Sequence, residues 1–342
     1  NLNGVDMASR DQANRILLPQ KISQAEAKVQ ALRATFKMNP SEYYRHDRVP
    51  KSKVAVNSEL EWEEKRLADL KAVRSTLEEN EKDRQSDPSI PRRGLVYMDD
   101  SKKDDRVKVA ISTGDVDRAK HVSTILPGMN NVPSEDIKDH VKNAELVNKH
   151  AADNAHISQD QVATIAWMYD TPQGGQVVSS KYATKASHEI GSALEGMHAF
   201  RHTNGIERAH TSLLGHSYGS TTAGKVAKMV RKGVLDDLVM YGSPGAGAHD
   251  AREYNLDHGR PYVSGIKSDD AVKGKGTLNS KFGNNPMFMP GVKHLANNSE
   301  RDRLFFIPWK MFDRHSEYLE EGTSSLEDIS RVVTNVPVKG EK

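Results

Sequence analysis

The spacing of apolar residues changes once along this chain, and the change divides it. Before about Glu81, Ile22, Ala25, Val29, Leu32 and Phe36 recur on one helical face. Tyr43 to Val56, with Pro50 inside it, breaks that pattern, and Ser58-x-x-Glu61 then offers a capping box before Leu60, Leu67, Leu70 and Leu77. Two narrow stripes of this kind suit an antiparallel pair of helices. Lys82 to Arg93 is polar and carries Pro88 and Pro91, the marks of a linker. The expected division is therefore a helical region and linker over 1–93 and a second domain over 94–342.

In that second domain short apolar runs alternate with helical ones. Val107 to Ile111, His121 to Leu126, Val162 to Met168, Ala209 to Leu214, Leu238 to Tyr241 and Tyr262 to Ile266 are predicted as strands, with Arg303 to Trp309 as a final one. Helices are predicted from near Ser134 through Val147, over Gln176 to His202, over Thr221 to Lys232 and from Ser324 to Thr334. Strands apolar on both faces that alternate with helices imply a mostly parallel sheet covered on both sides. Lys273 to about Asn298, rich in Gly, Asn, Lys and Pro, reads as a long loop of the kind that forms a lid or substrate loop.

One junction in this alternation carries chemistry. Leu213-Leu214-Gly215-His216-Ser217-Tyr218-Gly219-Ser220 runs from strand into helix through Gly-x-Ser-x-Gly. A serine on so sharp a corner needs glycine two residues before and after it, because a Cβ there would clash with the passing backbone. Ser217 is thereby predicted to stand exposed above the sheet as a nucleophile.

Composition narrows the remainder. Lys plus Arg total 49 against 47 Asp plus Glu, a net charge of +2, so there is no electrostatic case for nucleic acid. The absence of cysteine removes disulfides, thiolate nucleophiles and cysteine-held metals, but leaves the compartment undetermined. No apolar run is long enough to span a membrane, and no signal peptide opens the chain. Asn1 stands where a methionine would begin a nascent chain, so a processed or excised piece of a longer protein is expected, and secretion or an envelope location stays open.

Ser217 needs an imidazole to take its proton and a carboxylate to orient that imidazole. On this architecture the order is serine, acid, histidine, each on a loop at the carboxyl end of a strand. Asp269, in Ser268-Asp269-Asp270 after the Tyr262 to Ile266 strand, is the expected acid, with Asp270 its immediate rival and Asp250 a weaker contender. Asp236 and Asp237 precede a strand and belong at the wrong edge. Of the 14 histidines, His315 follows every strand and precedes the last helix, which selects it as base over His294.

The amide of Tyr218 is the expected first oxyanion donor, and Pro127-Gly128-Met129 the turn that supplies a second from Met129 or Asn130. Gly128, Asn130, His216, Ser243 and Pro244 are the expected substrate contacts. The last two belong to Gly242-Ser243-Pro244-Gly245-Ala246-Gly247, which lacks the Gly-Lys-Ser/Thr ending of a phosphate loop. His198 and His202 have helical spacing without an adjacent Glu, so no metal is expected, and the chemistry calls for no cofactor.

Several ordered stretches together resemble an actinobacterial family of α/β-hydrolases whose function is largely uncharacterised. They are Leu2-Asn3-Gly4-Val5 with Arg10-Asp11-Gln12-Ala13-Asn14-Arg15, Gly114-Asp115-Val116-Asp117, Leu126-Pro127-Gly128 and Ala166-Trp167-Met168-Tyr169-Asp170-Thr171-Pro172. Gly215 to Ser220, Val239 to Gly247 and His315-Ser316-Glu317-Tyr318 complete the set. The resemblance covers most of the chain and implies an α/β-hydrolase fold behind the helical hairpin, with Ser217 as nucleophile, an acid after the Tyr262 to Ile266 strand and His315 as base. The chain departs from the family pattern at the acid, with Ser268-Asp269-Asp270 where Gly-Asp-Pro is usual. The expected function is hydrolysis of a small-molecule or lipid ester through an acyl-enzyme. An amidase or peptidase on the same fold is one alternative. Another is an interaction or effector module whose N-terminal helices dock a protein partner.

Overall fold

A computed structural model of the protein describes residues 4–37, 51–257, 259–265, 280–296 and 317–339, except the side chains of 36–37, 51–57 and 280. Two long helices open the chain, α1 (Met7–Lys37) and α2 (Lys51–Ser86). Ion pairs Arg15–Glu81, Glu26–Lys71 and Arg33–Glu64 join rising positions of α1 to falling positions of α2, as an antiparallel pair requires, and Lys28–Glu59 lies near the same end as the last of them. Leu18, Ile22, Ala25, Val29 and Leu32 of α1 are buried, as are Leu70, Val73 and Leu77 of α2. Ser58 and Glu61 lie inside α2, so they are not its cap: the helix already runs from Lys51, and an N-cap residue must sit outside the helical turn. At its other end α2 continues to Ser86, into the segment read as a linker.

The sheet has eight strands in the order β1-β2-β4-β3-β5-β6-β7-β8. These are β1 (Arg93–Asp99), β2 (Lys108–Thr113), β3 (His121–Leu126), β4 (Val162–Met168), β5 (His210–His216), β6 (Asp237–Tyr241), β7 (Pro261–Ser264) and β8 (Lys293–His294). β2 is antiparallel to both its neighbours, and every pairing from β4 onward is parallel. β1 escapes the sequence pattern because only its first half is fully buried and its register shifts between Leu95 and Tyr97. β8 escapes it because two residues carry no period. The Arg303 to Trp309 strand lies outside the described residues.

Four further helices cover the sheet: α3 (Pro133–Ala155), α4 (Lys181–Thr203), α5 (Tyr218–Met229) and α6 (Ser324–Val333). Alternate strand residues feed two separate cores. Trp167, Leu213 and Met240 join Ile190, Leu194 and Val226 of α4 and α5 on one face. Met168, Leu214 and Val239 join Ile137, Val141 and Ile329 of α3 and α6 on the other, together with Leu18 and Leu70 of the hairpin. This is the α/β-hydrolase architecture expected from the sequence, with the helical pair packed onto one face. The long helix expected over Gln176 to His202 is divided: a 3₁₀ turn over Gly174–Val178 precedes α4, closed by reciprocal bonds between Gln173 and Gln176.

Candidate active site

β5 delivers Ser217 to the carboxyl edge of the sheet, and α5 starts at the next residue. Ser217 has φ 50° and ψ −124°, a conformation that costs a residue with a Cβ about 1–3 kcal/mol. Its surroundings hold it there. The Ser217 amide donates to the Tyr241 carbonyl at 2.9 Å, and its own carbonyl accepts from the Ser220 amide at 2.9 Å. The Ser220 hydroxyl donates to the Gly215 carbonyl, also at 2.9 Å. A Cβ at Gly215 would stand 2.6 Å from the Gly219 carbonyl oxygen, and one at Gly219 would stand 2.5 Å from that of Pro127. Both glycines are therefore required by backbone passing backbone, which is the steric reason for their spacing.

The turn after β3 lies against the serine. A Cβ at Gly128 would be 3.0 Å from the Ser217 Cβ, 3.4 Å from its Oγ and 3.6 Å from His216 Nδ1. Residues after β4 clamp this turn. The Tyr169 hydroxyl donates to the Pro127 carbonyl at 3.0 Å, and the Thr171 hydroxyl to the Asn131 carbonyl at 2.7 Å. Asn130 has φ 60°; its amide donates to the Pro172 carbonyl, and its side-chain oxygen accepts from the Gly174 amide. Of the two amides considered as second oxyanion donor, that of Asn130 is thus committed elsewhere, while Met129 precedes the committed position.

Tyr218 has a divided role. Its backbone begins α5, where amides lack a partner within the helix. Its buried hydroxyl donates to the Ser179 carbonyl at 2.6 Å and accepts from the Ala183 amide, fixing the start of α4, and burial pushes its pKa up to about 12. His216 stacks on Tyr241 at 5.2 Å. Ser243 turns its hydroxyl back onto Gly245 within its own turn, and Pro244 beside it is half-buried.

Residues 102–280 match the family described as alpha/beta hydrolase. The chain belongs to that family. Uncharacterised proteins of Mycobacterium bovis and Mycobacterium tuberculosis are each 29% identical to this hydrolase over 242 residues, or 68% of this chain and 84% of theirs. A second M. tuberculosis protein is 34% identical over 186 residues, covering 51% of this chain and 26% of its own. Among solved structures, a dienelactone hydrolase of Anabaena variabilis aligns over 72% of this chain and 96% of its own, at 11% identity and a TM-score of 0.37.

Asp269, Asp270 and His315 of this hydrolase lie outside the described residues, so the acid and base are placed by chain order alone. The rivals that are described have other occupations. Asp250 is half-buried and bonds Arg252 through both carboxylate oxygens, which pulls its pKa down to about 2. His294 sits within β8, paired with Val263, rather than on a loop. Asp236 and Asp237 lie at the amino end of β6: Asp236 accepts from Arg208 and the Thr211 amide, and Asp237 pairs with His210 at 2.8 Å.

One support had no signal in the sequence. α3 follows the turn that lies on Ser217, and it has no side-chain cap from its own N-cap residue. Asp69 of α2, fully buried, accepts the Ser134 amide at 3.0 Å and holds Arg106, which donates to the Ser134 hydroxyl at 2.7 Å. The hairpin thus caps a helix of the catalytic sheet. Among the described residues no group of three or more His, Asp or Glu is arranged to hold a metal, and no helix is long and apolar enough to cross a membrane.

Proposed function

We propose that this protein is a serine esterase working through an acyl-enzyme. The observation that carries the proposal is the strained Ser217 corner with the turn at Gly128 lying so close that a Cβ there would stand 3.4 Å from the serine hydroxyl oxygen. In this reading the Ser217 Oγ attacks the acyl carbonyl carbon while His315 takes the hydroxyl proton. The amides of Tyr218 and Met129 hold the resulting oxyanion, and Asp269 orients and stabilises the charged imidazole. The tetrahedral adduct collapses, the C–O bond to the alcohol breaks, and His315 passes its proton to the departing alkoxide. Water, deprotonated by His315, then cleaves the acyl-enzyme to release the acid and restore Ser217.

Two features of the chain support the placement of the partners. β7 ends at Ser264, whose carbonyl accepts the Gly242 amide beside the elbow, and Asp269 follows it by five residues. Tyr318 is fully buried against Tyr241 and His216, at ring separations of 5.6 and 6.1 Å, and the three residue steps from it back to His315 span at most about 11 Å. Gly128, His216, Ser243 and Pro244 would line the substrate's path, and a small-molecule or lipid ester is the substrate class. Ester rather than amide rests on the chemistry most often hosted by this fold. The hairpin would serve the enzyme through Asp69, while the exposed Ile16 and Leu17 on α1 are the surface it offers a protein partner.

Hydrolysis of p-nitrophenyl butyrate by the full chain tests the reading. Ser217→Ala should fall to background and His315→Ala by about 10³-fold or more. Asp269→Asn should cost far more than Asp270→Asn if Asp269 is the acid. Full turnover in either Ser217→Ala or His315→Ala would remove the mechanism.

A further inference from the structure

In the turn that lies on Ser217, two peptides are anchored and the one between them is not. The Pro127 carbonyl accepts the Tyr169 hydroxyl at 3.0 Å and rests against Gly219 of α5, where a Cβ would stand 2.5 Å from the oxygen. Two peptides further on, the Met129 carbonyl accepts the Asn131 side-chain amide at 2.9 Å, and the Asn130 amide of that same peptide donates to the Pro172 carbonyl at 3.0 Å. Between them lies the Gly128–Met129 peptide. Its amide finds no acceptor among the described residues.

Glycine makes that middle peptide hard to aim. The serine dictates Gly128, since a Cβ there would crowd the Ser217 Cβ at 3.0 Å, yet glycine has the widest choice of backbone angles. A turn that pivots on it keeps one orientation only if the peptides on both sides are fixed. Upstream this falls to Tyr169, which is fully buried; burial pushes its pKa up, so the hydroxyl keeps its proton. A carbonyl can only accept, so that proton goes to Pro127, and the Thr222 hydroxyl, 3.2 Å away, is the donor to the tyrosine oxygen. With the Pro127 carbonyl held, the planar trans peptide fixes the Gly128 amide too. Downstream the task falls to Asn131, a half-buried side chain that reaches back to the Met129 carbonyl.

We propose that Tyr169 and Asn131 are positioning residues of the Ser217 centre: from opposite sides they hold the Gly128 pivot so that the Met129 amide points to where the oxyanion forms. The inference rests on the esterase reading of Ser217 and adds to it the side chains that preorganise its oxyanion site. Neither touches the substrate. Because the oxyanion exists only in the tetrahedral adducts and the transition states around them, a misaimed amide weakens those states and leaves the bound ester nearly as it was. The loss therefore falls on kcat and spares KM.

The test measures kcat and KM for p-nitrophenyl butyrate, inhibition by a trifluoromethyl ketone of matched chain length, fluorophosphonate labelling of Ser217 and the melting temperature. It compares the full chain with Tyr169→Phe, Asn131→Ala and Ser123→Ala. Ser123 is the control: its buried hydroxyl pairs with that of Thr164 at 2.6 Å, bridging the same two strands, β3 and β4, that lead to Pro127 and Tyr169, but away from the turn. Removing one oxyanion donor outright costs about 10²–10³-fold in kcat, so misaiming it in Tyr169→Phe or Asn131→Ala should cost about 10- to 100-fold, with KM within about twofold. The ketone, which forms an oxyanion on Ser217, should bind more weakly by the same factor as kcat falls. Ser123→Ala should melt lower, as Tyr169→Phe does, and keep its kcat within about twofold. A folded Tyr169→Phe or Asn131→Ala that keeps its kcat, a loss that appears in KM instead, or an equal kcat loss in Ser123→Ala would overturn the proposal; should Tyr169→Phe not fold, the half-buried Asn131→Ala decides it. In each of these cases Ser217 of the parent takes the label, whereas an unlabelled parent would refute the esterase reading itself and the positioning with it.

Discussion

The two ends of β5 hold similar chemistry in opposite conditions. At the amino end His210 pairs with Asp237 at 2.8 Å, lies 6.0 Å from the His121 ring, and is flanked by Asp236. Each carboxylate there is taken: Asp237 also accepts the Arg260 amide, and Asp236 accepts Arg208 and the Thr211 amide. At the carboxyl end Ser217 is bent into a conformation its neighbours must enforce, and its hydroxyl has no bond to the strand that carries it. A histidine beside a carboxylate is therefore not sufficient for an active site. At the amino end the charges complete one another and lock strand starts together; at the carboxyl end the strained backbone carries the hydroxyl that the proposed function makes the nucleophile.

Breaking the pair at the amino end should give the largest effect on folding. Asp237→Ala would strand His210 and the Arg260 amide, at a cost of about 3 kcal/mol in chemical denaturation, while Ser217 remains reactive. Burial pulls the His210 pKa down, but the hydrogen bond to Asp237 and the charges of Asp237 and Asp236 outweigh it, so its pKa is raised. The stabilisation from this group is thus complete below the ordinary histidine range and lost as pH rises through the raised value. His121 has the opposite sign: burial and then the charge of His210 lower its pKa, so it favours the folded state less as pH falls. The stability gap between parent and Asp237→Ala should accordingly be wider at pH 6 than at pH 8. Loss of Ser217 reactivity in a folded Asp237→Ala would dissolve the contrast between the two ends.

Gly219→Ala should come next. The added methyl meets the Pro127 and Leu126 carbonyl oxygens at 2.5 and 2.6 Å, and the resulting shift should destabilise by about 2 kcal/mol despite alanine's better helix propensity, with turnover falling alongside. The smallest effect should be that of Ser217→Ala on stability. With a strained polar site relieved, its melting temperature should equal or slightly exceed the parent's. A clear drop would mean that the hydroxyl is structural.

The elbow was legible because its glycines answer to sterics within five residues. β3, β4, β5 and β6 were legible because strands buried on both faces cannot carry charge along their length. Chain order pointed to Asp269 and His315, which the described residues do not include, and it correctly set Asp236 and Asp237 at the amino edge. What stayed hidden depends on partners far apart in the chain. No pattern announces that Asp69 will cap α3 at Ser134, or that the Tyr169 hydroxyl will hold Pro127, because each is one polar atom meeting another across dozens of residues. The start of α2 was hidden for a local reason: Ser58-x-x-Glu61 mimics a cap inside a helix rich in acidic residues.

The central claim is that Ser217 is an activated nucleophile, and labelling the full chain with a fluorophosphonate, then locating the adduct by peptide mass spectrometry, tests it most directly. The account predicts a single adduct on Ser217 in the parent, none in Ser217→Ala and a strongly slowed one in His315→Ala. A folded parent that takes no label, or takes it on another serine, would contradict it.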